Sequence, residues 1–154
     1  MKVDTAVDMA LYKYLLPDGE WQELWFTTLA RPWSSLVIVP ASPKVSGLMV
    51  ASALADVGKL HRGRPVNLIN AESVELVEAS GLIEAMHAQT ARGDQVIVCV
   101  GSLFDNQAAI PVARAADAAL LCVSLGDSDF SSARKTLNLI GAERFIGAVN
   151  LKGA

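Results

Sequence analysis

From residue 34 onward, short, largely apolar runs alternate with longer segments whose apolar positions recur at helical spacing. Five runs stand out: Leu36–Val39, Val66–Asn70, Val96–Val100, Ala118–Ser124 and Phe145–Asn150. Several are short and rich in β-branched residues, the pattern of parallel strands buried on both faces. Helical segments lie between them at Leu48–Val57, Ala71–Ala91, Asn106–Ala115 and Phe130–Ile140. Such alternation predicts an α/β fold, a parallel sheet of about five strands with helices on both faces and right-handed crossovers. Turn residues set the expected boundaries. Gly58 is read as the end of the first of these helices, Arg92-Gly93-Asp94 as a helix-to-strand turn, and Gly141 as the close of the last helix. Ser128 or Asp129 is the expected N-cap of that last helix, and Pro111 should shorten or kink the segment that holds it.

Residues 1–33 have a different character and are read as an N-terminal helical arm, with residues 34–154 forming the main domain. Two helices are predicted, Thr5–Leu16 and Glu20–Ala30, about the turn Pro17-Asp18-Gly19. In the second, Trp21, Leu24, Trp25, Phe26 and Leu29 concentrate on one side. That stripe has two readings. It packs on its own domain, or it is a partner-binding surface, since Trp is enriched at interface hot spots.

A chain of 154 residues, 52% apolar and 19% charged, is long enough to bury one sizeable core. No apolar run approaches the roughly 20 residues of a spanning helix, and the early charges of Met1-Lys2-Val3-Asp4 leave no signal-peptide apolar region, so the expected location is cytoplasmic. A net charge of −3, with no basic stripe interleaved with aromatics, argues against nucleic acid as a partner. The basic cluster His61-Arg62-Gly63-Arg64 reads as a solvated turn before a strand. Cys99 and Cys122 both fall inside apolar runs and are expected to be buried free thiols. Two Cys and two His at wide spacing predict no metal site.

The segment with the most chemical content is Val37-Ile38-Val39-Pro40-Ala41-Ser42-Pro43-Lys44-Val45-Ser46-Gly47-Leu48-Met49. A strand runs into a small-residue loop that opens a helix, the setting of a P-loop, in which glycines and a Gly-Lys-Ser/Thr sequence cradle phosphates. Here no Gly-Lys-Ser/Thr is present. Other segments extend the likeness. Asp94-Gln95-Val96-Ile97-Val98-Cys99-Val100-Gly101-Ser102 looks like a Walker B segment of the type "yDyVIIDtPP". Ala115 through Val123 is similar to "aDavllVv", Ala51-Ser52-Ala53-Leu54-Ala55 with Gly58 to "aaNLAxaLAxxG", and Leu137–Gly141 with Ile146–Asn150 to "L…G…vlGvVlN".

In their order these segments resemble the bacterial exopolysaccharide tyrosine kinases and, more broadly, the MinD/ParA-type P-loop ATPases. The resemblance implies strand order 2-3-1-4-5, counting the five runs above, so that Val96–Val100 lies beside Leu36–Val39. It also identifies what is missing. With Pro43 as anchor, the family's Gly-Glu-Gly-Lys-Ser-Thr becomes Lys44-Val45-Ser46-Gly47-Leu48-Met49, so Gly47 stands at the lysine position and Leu48 at the magnesium hydroxyl. Cys99 stands at the Walker B aspartate, and Asn70 and Glu72 where "IDaDlR" would place acids. Phosphoryl transfer relies on a metal and a cationic cradle. The resemblance therefore implies a degenerate nucleotide site with no catalytic residue, no cofactor and no metal. Two residues offer a rescue of the site, Lys44 as an offset cation and Glu72 as a metal ligand. A solvent-facing lysine and a carboxylate stabilising a helix start account for them more simply. The tyrosine cluster typical of the kinases is also missing, since the only tyrosines are Tyr12 and Tyr14.

The functional expectation is a non-catalytic pseudo-ATPase or pseudokinase, regulatory or scaffolding, in exopolysaccharide synthesis or export of the capsule or holdfast type. Its expected partner is a protein, such as a polysaccharide chain-length or export membrane protein, or a second copy of itself. Such a partner would place it peripherally at the inner membrane. The alternatives are a ParA/MinD-like positioning scaffold and an ATPase that still binds nucleotide.

Overall fold

The computed structural model describes residues 4–8, 19–124 and 130–152. All strands are parallel: β1 (Asp4–Asp8), β2 (Ser35–Pro40), β3 (Val66–Ala71), β4 (Gln95–Val100), β5 (Ala118–Ser124) and β6 (Phe145–Lys152). The helices are α1 (Gly19–Thr28), α2 (Leu48–Arg62), α3 (Ala79–Ala91), α4 (Ala109–Ala115) and α5 (Phe130–Ile140). The sheet order is β1-β6-β5-β2-β4-β3. The five predicted strands, β2 to β6, thus lie in the expected order, with β4 beside β2.

The sheet separates two apolar layers. On one face α1 and α2 cover Leu36, Ile38, Ile97, Cys99, Leu120 and Cys122; on the other α3, α4 and α5 cover Val37, Val39, Val96, Val98, Val100 and Leu121. Successive strand residues point to opposite faces, so a central strand such as β2 needs apolar residues at every position, and all six of its residues are buried. At the amino ends of the strands, the Asp117 carboxylate accepts the N–H groups of Ser34 (2.8 Å) and Ser35 (3.1 Å), fixing β5 against β2.

Three boundaries depart from the expectations. Asp4–Asp8 is a strand paired with β6, where the pattern predicted the start of a helix over Thr5–Leu16; the rest of that segment and the Ser128/Asp129 cap lie outside the described residues. The reason is tertiary: the outer edge of β6 offers a row of unpaired backbone groups, and a short extended segment satisfies them. Next, Gly58 does not end α2. The helix continues to Arg62 and stops at Gly63, whose φ of 65° supplies the left-handed cap. Gly58 is instead a packing glycine, since a Cβ there would meet the Trp25 ring at 2.7 Å. Finally, the long predicted helix Ala71–Ala91 is shortened, because Ala71 finishes β3 and a 3-10 turn at Leu76–Glu78 precedes α3. Pro111 behaves as expected: the segment begins only at Ala109, with the proline in the first turn, where no helical N–H is required of it.

Candidate functional site

The loop between β2 and α2 sits at the carboxyl ends of the strands, where open parallel sheets bind ligands. Its shape follows from local bonds. Ala41 N–H donates to the Cys122 carbonyl (2.9 Å), carrying the β2–β5 pairing one residue beyond the strand, and Val45 N–H donates to the Ser42 carbonyl (3.2 Å). Val45 is buried and joins the α1/α2 core, so the middle of the loop is pulled inward by an apolar side chain. Ser46 Oγ accepts the Leu48 N–H (3.3 Å) and donates to the Glu72 carboxylate (2.9 Å). Gly47 then starts α2, its carbonyl accepting the Ala51 N–H at 2.9 Å.

Gly47 is the constriction. Its φ of −92° is open to any residue, so the demand for glycine is one of space, not of backbone freedom. A Cβ at this position would lie 2.7 Å from Ile38 Cγ2 and 3.7 Å from Cys122 Sγ. Ile38 belongs to the central strand and is fully buried, so it has nowhere to retreat. Cys99 Sγ, for its part, donates to the Val100 carbonyl at 3.9 Å. The position that would project a lysine toward a phosphate is thus packed down onto the sheet. Gly47, the one glycine of the 41–47 loop, has negative φ, so it does not supply the left-handed residue of an anion-holding nest.

The surrounding groups oppose an anion as well. Asn70 Oδ1 accepts the Glu72 N–H (3.1 Å), and β3–β4 register places Asn70 beside Cys99. Burial pushes the Cys99 thiol up to about 12, and the Glu72 charge adds to the shift, while the Gly47 N–H opposes it. Burial likewise raises Cys122, with Cys99 contributing. Both cysteines are free and buried. Below the unfolded-state value near 9.0 the thiol is neutral in both states and costs nothing. Above it the unfolded chain loses a proton that the folded chain keeps, so stability falls as pH rises through about 12. Cys99→Ala should therefore flatten the alkaline limb of a stability–pH profile measured by urea unfolding. An unchanged slope would show that Cys99 ionises freely in the folded protein.

The structure brings Ser46, Gly47, Glu72, Asn70 and Cys99 together and leaves the rest of the predicted site dispersed. Pro43 and Lys44 are exposed, and Lys44 makes no ion pair among the described residues. Leu48 and Met49 are half-buried, with Leu48 packed against the core. No group of three metal-ligating side chains occurs among the described residues. A nucleotide–magnesium complex, the ligand of the families that the sequence resembles, does not fit these residues. Its cation position has no room, its metal hydroxyl is a leucine, its carboxylate is a neutral thiol, and a glutamate stands at the mouth.

Two hollows are marked by no motif in the sequence. One of about 480 Å³ adjoins the site and is lined by Asn70, Ala71, Ser73, Val74, Glu78 and Leu82. The other, about 470 Å³, lies between α4 and α5, where Lys135 Nζ sits 5.5 Å from the centre of the Phe104 ring.

The α1 stripe divides in two. Trp21, Leu24 and Trp25 are core residues, whereas Phe26 and Leu29 are exposed, the Phe26 ring resting 4.6 Å from that of His61. No described helix is long and apolar enough to cross a membrane. Comparison with protein-family models, curated proteins and solved structures finds no match to this chain.

Proposed function

We propose that this chain is a non-catalytic relative of the exopolysaccharide tyrosine kinases and MinD/ParA-type ATPases, a regulatory or scaffolding protein in polysaccharide synthesis or export. The observation that carries the non-catalytic reading is the closure at Gly47. A loop whose phosphate-facing position is pressed against Ile38 and the buried Cys122 thiol has exchanged an anion cradle for core packing. Phosphoryl transfer has little other chemistry to draw on once cation and metal are gone. The parallel sheet in order β3-β4-β2-β5-β6 is in keeping with that ancestry. The pathway and a membrane-protein partner rest on the sequence resemblance, and fold by itself does not confer them.

Calorimetric titration with ATP–magnesium at millimolar nucleotide should give no magnesium-dependent heat. A low-micromolar dissociation constant, worth about 8 kcal/mol, would overturn the reading, because the site offers no groups to supply it. For the pathway, capture of the tagged chain from its native cell should recover a component of polysaccharide synthesis or export.

A further inference from the structure

We propose that the hollow between α4 and α5 is a binding site for a small apolar carboxylate, a molecule with an aliphatic or aromatic body and one anionic end. Its lining is Leu103, Phe104, Gln107, Ile110, Lys135 and Leu139, contributed by the segment after β4, by α4 and by α5. The volume of about 470 Å³ falls within the range of small-molecule sites, roughly 300–1,000 Å³. Such sites are mostly apolar, with a few polar groups that fix orientation. Here Leu103 is buried, Ile110 and Leu139 are half-buried, and Phe104 is 42% exposed, so these side chains offer an apolar wall with surface still to cover.

Charge selects the occupant. Lys135 is the one charged residue among the described lining, although the chain as a whole carries −3. Its ammonium lies 5.5 Å from the centre of the Phe104 ring and forms no salt bridge among the described residues. A ring face attracts a cation without neutralising it, so the ammonium can still pair with an anion. Asp105, next to Phe104 in sequence, is exposed and forms no salt bridge among the described residues either. The last turn of α5 would ordinarily present partial negative charge at this end of the hollow. Arg114 offsets it, donating from Nε and Nη2 to the Leu139 carbonyl. A single ammonium suits a singly charged group, whereas a phosphate dianion calls for more donors than this lining holds. The other hollow has the opposite character, since Glu78 is the charged residue of its described lining.

A heteronuclear NMR titration of the full chain with octanoate, kept below its micelle concentration, tests this. The backbone signals of the lining residues should shift and saturate at millimolar concentration or below. Octan-1-ol, which has the same body without the charge, should bind at least about fivefold more weakly. Lys135 is exposed, so Lys135→Glu should fold, and it should weaken octanoate binding by about tenfold. Arg134 lies over Phe130, 5.2 Å from the ring centre, and is not part of the lining. Arg134→Glu should therefore change the affinity by less than about twofold. Absence of shifts up to millimolar octanoate overturns the proposal, as do shifts confined to Phe26 and Leu29 or to Asn70 and Val74. Octan-1-ol binding as tightly as octanoate overturns the carboxylate assignment. Equal losses in the two charge variants would reduce the effect to the general field of the surface and overturn the site.

Discussion

A chain carrying Gly47→Lys, Leu48→Ser and Cys99→Asp together should show no ATP turnover and should lose more than about 4 kcal/mol of stability. On the proposed reading, supplying the side chains of an active P-loop helps only if side chains are all that is wanting. The geometry points the other way. The new Cβ at position 47 falls 2.7 Å from Ile38 Cγ2, and overpacking of a rigid core costs about 1–3 kcal/mol. An aspartate at position 99 would be a carboxylate in a fully buried site, already within the field of Glu72, where an uncompensated ion costs several kcal/mol. Gly47→Ala separates the two contributions: it should cost about 1–3 kcal/mol by itself, and less in an Ile38→Ala background, where the colliding methyl is gone. Urea unfolding with a magnesium-dependent ATPase assay provides both readouts. A stable triple variant that hydrolyses ATP would mean that the loop can lift off the sheet, and the non-catalytic reading would fall.

Trp25→Ala should cost about 3–5 kcal/mol and leave the mass of the protein in solution unchanged. Trp25 is 1% exposed, lies over Gly58 of α2, and stands edge-on to Trp33 at 5.7 Å between ring centres. Such an aromatic pair adds about 0.5–1.5 kcal/mol beyond burial. Removing the ring opens a cavity between α1 and α2 that a neighbouring glycine cannot fill. Phe26→Ala, one residue along, should cost under about 1 kcal/mol, since its side chain is half in solvent and meets the ring of His61. Denaturant unfolding and light scattering distinguish the outcomes. A mild stability loss with a lower assembly state for Trp25→Ala would show that α1 docks on another chain after all.

The sequence by itself determined the five parallel strands β2 to β6 and the burial of both cysteines. Strands covered on two faces cannot tolerate polar alternation, and unbroken runs such as Val37-Ile38-Val39 and Val96–Val100 therefore report their own environment. The order of those strands came from the resemblance, as no local pattern encodes which strands are neighbours. The resemblance, and no local pattern, aligned Gly47, Glu72, Asn70 and Cys99 with a family's nucleotide site; in the structure Ser46 is bonded to Glu72, Glu72 to Asn70, and Asn70 lies beside Cys99. What the tertiary structure alone decided are the features set by contacts between distant segments. Asp4–Asp8 became a strand because β6 had an open edge to satisfy. Gly58 proved to be a seat for Trp25 and not a helix terminator, because a glycine required by a neighbouring ring looks the same in one dimension as a glycine required by a turn. The α1 stripe divided into core and surface because the width of the face that α2 could cover stops short of Phe26 and Leu29. The same holds at the candidate site. The absence of a Gly-Lys-Ser/Thr sequence was legible in the chain, but the collision with Ile38 that leaves no room for a side chain at position 47 appears only when β2 and the start of α2 are brought within van der Waals contact.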